Sequence, residues 1–90
     1  MDTWHGRQIT AARALSGLTI TELAFEAGVT ERTIRRIEAA ETIAIAERLT
    51  HGAFSLATWE KVVTALLDHG VELIPPSGTR GGGARWVRQP

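Results

Sequence analysis

The chain contains no cysteine among its 90 residues, which excludes disulfide bonds, thiolate catalysis and zinc sites with sulfur ligands. It has no apolar run approaching the roughly 20 residues that a membrane-spanning helix needs. Its first residues, MDTWHGRQ, lack the apolar core of a signal peptide. We therefore expect a soluble, cytoplasmic protein that has no membrane partner.

Side chains suited to catalysis or metal binding are few and poorly spaced. The three histidines are His5, His51 and His69. None of them has the i, i+4 spacing with a nearby carboxylate that is typical of a helical metal site. Residues 81–83 are glycines, but they lack the lysine and the following helix of a phosphate-binding loop. The sequence predicts no catalytic residues, no metal site and no cofactor, and hence not an enzyme.

The length allows one small hydrophobic core. Of the 90 residues, 43% are hydrophobic, which is enough for a modest folded core. Domains of this size often gain stability by dimerising. We therefore expect a small folded unit that forms a homodimer.

The charge of the chain is unevenly distributed although it sums to zero. Basic residues concentrate within residues 28–37 and again within residues 75–90, whereas residues 38–74 are acidic on balance. The local distribution of charge, and not its sum, decides what a surface attracts. A net charge of zero therefore does not exclude a nucleic-acid partner.

Three consecutive helices are predicted in the first half of the chain. The first covers residues 5–15 and ends at Gly17. The second begins at a capping box formed by Thr19 and Glu22, and closes at Gly28. The third covers residues 31–39, and Thr30 can cap it. The second and third helices are thus joined by a very tight turn.

The second half of the chain is predicted to contain two further helices and two strands. Residues 40–52 fit a short helix, which we favour, although residues 42–46 alternate like a strand. Ser55 caps a longer helix that stops at Gly70. Residues 71–74 and 84–87 flank turn material and form a candidate β-hairpin, which should pack on the helices or pair with another subunit. We divide the chain into residues 1–70 and a C-terminal β element, residues 71–90, that serves dimerisation.

The helix, glycine turn and helix carry a resemblance to a known family. The segment LTITELAFEAGVTERTIRRIEAAE resembles the helix-turn-helix of Cro/repressor-type (XRE-type) bacterial and phage transcription regulators. The family pattern is L-T-Q-x-x-L-A-x-x-x-G-V-S-x-x-T-I-x-x-x-E, and the likeness covers residues 7–41. It implies a mainly α fold, a lambda-repressor-like helical bundle to which the short C-terminal strand pair is added.

The resemblance implies structural roles for four residues. Gly28 would make the turn, and Ala24 is small because the two helices approach closely there. Arg13 and Glu38 would form a largely structural ion pair. Ile20 departs from the family, which usually has a DNA-contacting glutamine at that position. That contact is lost, and either another residue binds the phosphate or Ile20 makes an apolar contact with DNA.

The resemblance also implies which side chains would contact double-stranded DNA. The residues for base readout are Glu31, Arg32 and Arg36, and those for the DNA backbone are Thr30, Thr33 and Arg35. Arginine can donate two hydrogen bonds to guanine, glutamate can accept from cytosine, and hydroxyls at a helix N-terminus suit phosphate. The alternative for these residues is an ordinary solvated face of a small helical bundle.

We therefore expect a sequence-specific DNA-binding transcriptional regulator, a repressor that acts as a homodimer on an inverted-repeat operator. The alternative is an antitoxin or adaptor that uses the same fold to bind a protein partner such as a toxin. The arginines of residues 80–88 are expected to point outward from a strand, with auxiliary nucleic-acid contact as a second interpretation.

Overall fold

The computed structural model describes residues 4–46, 53–77 and 79–87. These contain four helices followed by two strands. In chain order the elements are α1 (Gly6–Ser16), α2 (Ile20–Ala27), α3 (Glu31–Ala39), α4 (Leu56–Asp68), β1 (Val71–Ile74) and β2 (Gly83–Trp86). The predicted mainly α fold with a C-terminal strand pair is confirmed.

The first three helices begin and end close to the predicted residues because local signals determine their ends. Gly17 adopts the left-handed conformation after α1, with φ of 76°. At the start of α2 the Thr19 hydroxyl accepts from the Glu22 backbone N–H at 3.1 Å, and the Glu22 carboxylate accepts from the Thr19 backbone N–H at 3.0 Å. At the start of α3 the Thr30 hydroxyl accepts from the Thr33 N–H at 3.1 Å.

The connection between α3 and α4 differs from the prediction. The helix favoured for residues 40–52 is wrong over residues 40–46, and residues 47–52 lie outside the described residues. Ile43 forms an antiparallel bridge with Trp4, and Ile45 forms a parallel bridge with Phe54. Ile43 is buried while its neighbours in sequence are exposed, which is the alternation of an extended chain. Residues 42–46 are extended because Trp4 and Phe54, which lie outside this segment, supply its backbone hydrogen-bonding partners.

The strands pair within one chain and pack on the helices. β1 is antiparallel to β2, with Val71 opposite Trp86 and Ile74 opposite Gly83. Both strands pack against α1, and β1 also packs against α4. Val71 is fully buried in the same core as the helices. β2 begins one residue before the predicted strand, and Val87 lies just beyond it, where its N–H donates to the Gly70 carbonyl at 2.7 Å.

A buried glutamine ties α1 to the end of the strand pair. Gln8 is 5% exposed, and its side-chain amide nitrogen donates to the carbonyls of Ile74 at 3.0 Å and Gly83 at 3.2 Å. The side-chain oxygen of Gln8, Oε1, accepts from the His5 backbone N–H at 2.9 Å. A Cβ atom at position 82 would overlap the Gln8 side chain, so Gly82 is required for this approach. The partners lie 66 and 75 positions apart in the chain, so no local sequence pattern predicts this contact.

The core lies where the four helices meet β1. Its fully buried large side chains are Ile9, Leu23, Ile34, Ile37, Val62, Leu66 and Val71. Trp4 stands against Trp59 with ring centroids 5.6 Å apart, so the N-terminal segment covers one side of α4. None of the helices in the described ranges has the length and apolar content that crossing a bilayer requires.

Candidate nucleic-acid interface

One side of α3 is exposed and carries three arginines. Ile34 and Ile37 are fully buried and anchor the opposite side in the core. Arg32, Arg35 and Arg36 are exposed, and their spacing of three and four residues places them on one face of the helix. The structure therefore brings the three sequence-predicted arginines together. Glu31 and Thr33, also predicted to contact DNA, are half-buried beside that face.

The turn before α3 positions the helix against α2. Gly28 adopts the left-handed conformation with φ of 71°, which a residue with a Cβ atom adopts only at a cost. Val29 then donates its N–H to the Ala24 carbonyl at 3.0 Å. Ala24 is 3% exposed in the core cluster that α2 and α3 share. A larger side chain at this position would push the two helices apart.

An ion pair between α1 and α3 fixes the far end of α3. Arg13 Nε lies 2.8 Å from one carboxylate oxygen of Glu38, and a second guanidinium nitrogen lies 3.1 Å from the other. Thr10 donates its hydroxyl to the same carboxylate at 2.8 Å, and Arg13 also donates to the Leu18 carbonyl at 3.2 Å. The hydrogen bond to Glu38 raises the pKa of Arg13 above its ordinary value. The ion pair is partly buried, and each partner also makes a hydrogen bond to a third residue. Both features suit a structural role.

Gly6 allows α1 to approach the last turn of α3. The Gly6 N–H donates to the Ala40 carbonyl at 2.9 Å. A Cβ atom at position 6 would overlap the carbonyl oxygens of Ile37, Glu38 and Ala40. His5 Nδ1 also lies 2.6 Å from the Glu41 carbonyl oxygen. The N-terminus of α1 thus caps the C-terminal end of α3, where unpaired carbonyls need partners.

The three arginines differ in what they contact. Arg35 pairs with Glu31 one helical turn earlier, at 3.2 Å, and the side chains of the two residues are 63% and 42% exposed. The Arg36 guanidinium lies over the Phe54 ring, 5.0 Å from its centroid. Within the described residues Arg32 makes no hydrogen bond or ion pair. Of the three arginines, Arg32 therefore has the fewest contacts to give up when it binds an external group.

The remaining predicted contacts are partly engaged within the chain. The hydroxyls of Thr30 and Thr33 lie 3.0 Å apart at the start of α3. The Glu31 carboxylate accepts from Arg35 through one oxygen, Oε1, so its other oxygen can still accept a hydrogen bond from a base. Ile20 packs partly against the core, which accounts for an apolar residue at the start of α2.

The basic C-terminal segment is separately engaged. Arg85 on β2 pairs with Glu72 on β1 at 2.6 Å, and both side chains point to the exposed face of the strand pair. Arg80 is exposed in the connection between the strands, and Arg88 lies outside the described residues. For Arg85, the expectation of an outward arginine on a strand holds.

Phe54 is a contact of the arginine face that the sequence analysis missed. It lies 18 positions beyond Arg36 in the chain, directly before the cap of α4. Its position before Ser55 is that of a hydrophobic staple, which explains its burial but not its contact with α3. No local signal connects the two residues.

Comparison with known proteins identifies the same part of the chain. Residues 9–49 match the family model described as "Helix-turn-helix". The matched segment begins within α1, includes α2 and α3, and extends into the connection that follows. No curated protein matches the chain.

Proposed function

Because residues 9–49 belong to the helix-turn-helix family of the Cro/repressor (XRE) type, we propose that the protein represses transcription by binding specific double-stranded DNA. It acts as a homodimer on an inverted-repeat site. The observation that carries the proposal is the exposed arginine face of α3, held in place by Arg13–Glu38 and by the Gly28 turn.

The shape and chemistry of α3 suit the major groove of DNA. The groove is about 12 Å wide and accepts one helix. Arg32 and Arg36 have exposed guanidinium groups that can donate two hydrogen bonds to guanine O6 and N7. Glu31 is the candidate acceptor for cytosine, through the carboxylate oxygen that does not bind Arg35. These three residues form the proposed base-reading set.

The residues proposed to contact phosphate lie around the start of α3 and along its exposed face. Thr30 and Thr33 stand at the N-terminus of the helix, where backbone N–H groups and the helix dipole favour an anion. Arg35 extends from the same helix and supplies positive charge. Such contacts orient the protein on DNA without reading sequence.

Dimerisation supplies the affinity that one short helix lacks. A two-fold dimer places two recognition helices about 34 Å apart, one turn of DNA, and doubles the contacts. The β1–β2 pair is the proposed dimer contact because Trp86, the last residue of β2, and Val87, just beyond it, are 43% and 47% exposed. Exposed apolar groups beside an open strand edge favour association. A dimer bound at a promoter would repress by excluding the polymerase.

Selection of bound duplexes from a random library, at low and moderate salt, tests this function. The wild-type chain should recover an inverted repeat. Arg32→Ala should lose about 1–3 kcal/mol of binding to that repeat and relax its specificity, whereas Arg35→Ala should weaken binding to all sequences similarly. Lys61→Ala, which removes an exposed cation from α4, serves as the matched control and should select the wild-type site.

Two outcomes would contradict the proposal. Recovery of salt-sensitive DNA without a consensus would remove sequence-specific reading. Equal losses on selected and random duplexes for Arg32→Ala and Arg35→Ala would overturn their separate roles. In the first case a protein partner would become the better explanation of the fold.

A further inference from the structure

Arg36 is oriented by an aromatic ring from outside the helix-turn-helix. Its guanidinium carbon is 5.0 Å from the centroid of Phe54, within the range where a cation is attracted to a ring face. Phe54 lies beyond the matched segment 9–49. A residue of the α3–α4 connection therefore sets the position of a side chain on the arginine face.

A contact with one ring leaves donors of a guanidinium available. The group has five N–H donors, and a ring on one side of it does not occupy them all. Arg35 is engaged differently, since a terminal guanidinium nitrogen donates to Glu31. Arg36 thus combines a restricted orientation with donors that can still bind a partner, which is the condition for recognising a base edge.

Phe54 is itself held on both sides. It is 5% exposed, its backbone N–H donates to the Ala44 carbonyl at 2.8 Å, and its carbonyl accepts from the Ala46 N–H at 3.0 Å. The next residue, Ser55, caps α4 by accepting the Thr58 N–H at 3.1 Å. The ring is therefore a fixed platform, and its position does not depend on DNA being present.

We propose that Phe54 is a positioning residue for DNA readout, which holds the Arg36 guanidinium ready to bind one guanine in each half-site. This inference rests on the proposed DNA-binding function. Phe54 need not touch DNA. It lowers the number of orientations that Arg36 must give up on binding, and it directs the donors of that residue to one base position.

The test compares Phe54→Leu, which removes the ring, with Phe54→Tyr, which keeps it. Each variant is used in duplex selection and in affinity measurements on the wild-type site. Phe54→Leu should lose the preference for guanine at one position of each half-site and bind about two- to fivefold more weakly. Phe54→Tyr should select the wild-type site. The salt dependence of binding should stay unchanged in both, because no phosphate contact is removed.

A double-mutant cycle separates positioning from a general effect on the fold. In the Arg36→Ala background, Phe54→Leu should cause no further loss of affinity, because the residue on which Phe54 acts is gone. Losses that simply multiply in the double variant would overturn the proposal. Wild-type behaviour of Phe54→Leu in selection would overturn it as well.

A measurement on the wild-type chain covers the case in which Phe54→Leu fails to fold. The Hε proton of a guanidinium that lies over the face of a ring is shifted upfield in the NMR spectrum by the ring current. Arg36 should display this shift relative to Arg32, and an unshifted Arg36 Hε would overturn the proposal. A wild-type chain that selects no duplex would instead overturn the proposed function, whether or not the shift is present.

Discussion

The two connections that flank α3 are built differently. The turn before α3 is three residues long, and its contacts are local: Val29 bonds to Ala24, and Thr33 bonds to Thr30. The connection after α3 is longer. Ile43 is bridged to Trp4, which precedes α1, and Ile45 is bridged to Phe54, near the end of the same connection. The helix that carries the arginines is therefore oriented at its start by hydrogen bonds within a tight turn. At its end it is oriented by contacts with residues that are distant in the chain.

Because of this difference, a glycine-to-alanine substitution at the distant contacts of α3 should destabilise the fold more than the same substitution in the turn before α3. Gly6→Ala on the distant side should lower the free energy of unfolding by about 3 kcal/mol, because the new Cβ overlaps three backbone carbonyls at the end of α3. Gly28→Ala in the local turn should cost about 1 kcal/mol, because it meets no atom and strains only its own φ of 71°. Urea unfolding of both variants and of the wild-type chain measures the two changes in the free energy of unfolding.

Gly83→Ala is the control for these two variants. Its Cβ would have no atom within 4 Å, and its φ is not positive, so the free energy of unfolding should change by less than about 0.5 kcal/mol. If Gly6→Ala proved no more costly than Gly28→Ala, α1 would not approach α3 as closely as described.

The ion pair at the end of α3 gives the next largest effect. Glu38→Gln should lower the free energy of unfolding by about 2 kcal/mol, because Arg13 would keep its charge in a partly buried position without a carboxylate. Glu31→Gln removes the exposed pair with Arg35 and should cost only about 0.3 kcal/mol. Thermal and urea unfolding of the two variants side by side provide the comparison. Similar losses would mean that the Arg13–Glu38 pair is as solvated as the surface pair.

The smallest effect concerns the capping box of α2, a second local device. The pKa of Glu22 is lowered, first by its hydrogen bond from the Thr19 backbone N–H. A carboxylate whose pKa is lower in the folded state stabilises the fold above its ordinary pKa. That stability is lost as the pH falls through the lower, folded value.

The free energy of unfolding, measured between neutral and acidic pH, tests this pH dependence. The wild-type chain should be more stable than Glu22→Gln at neutral pH, and the difference should disappear as the pH falls through the acidic range. Glu60→Gln, on the exposed side of α4, is the matched control. Parallel stability curves for wild type and Glu22→Gln would exclude a contribution from the charged form of Glu22.

The local capping and turn contacts were predictable, and so was the match of residues 9–49 to a helix-turn-helix family model. Thr19 with Glu22, Gly28 and Thr30 predicted the ends of α2 and α3, because each acts on a backbone within four residues. The resemblance supplied the expected pairing of Arg13 with Glu38, which is present. The grouping of three arginines followed from helical spacing alone.

The prediction for residues 40–52 failed for an equally physical reason. Ile43 and Ile45 fit either a helix or a strand, and periodicity over such a short segment does not decide between them. The bridges to Trp4 and Phe54, which both lie outside residues 40–52, decided the conformation. The contact between Phe54 and Arg36 was also not predictable, because no local pattern joins these two residues.

By itself, the sequence determined the ends of α2 and α3 and the tight turn between them, because these depend on side chains that act on their nearest backbone neighbours. Only the tertiary structure decided the path of residues 40–46, the contact of Arg36 with the Phe54 ring, and the contact of Gln8 with Ile74 across 66 positions. Such contacts form only after packing has brought the segments together, so no short window of sequence contains both partners.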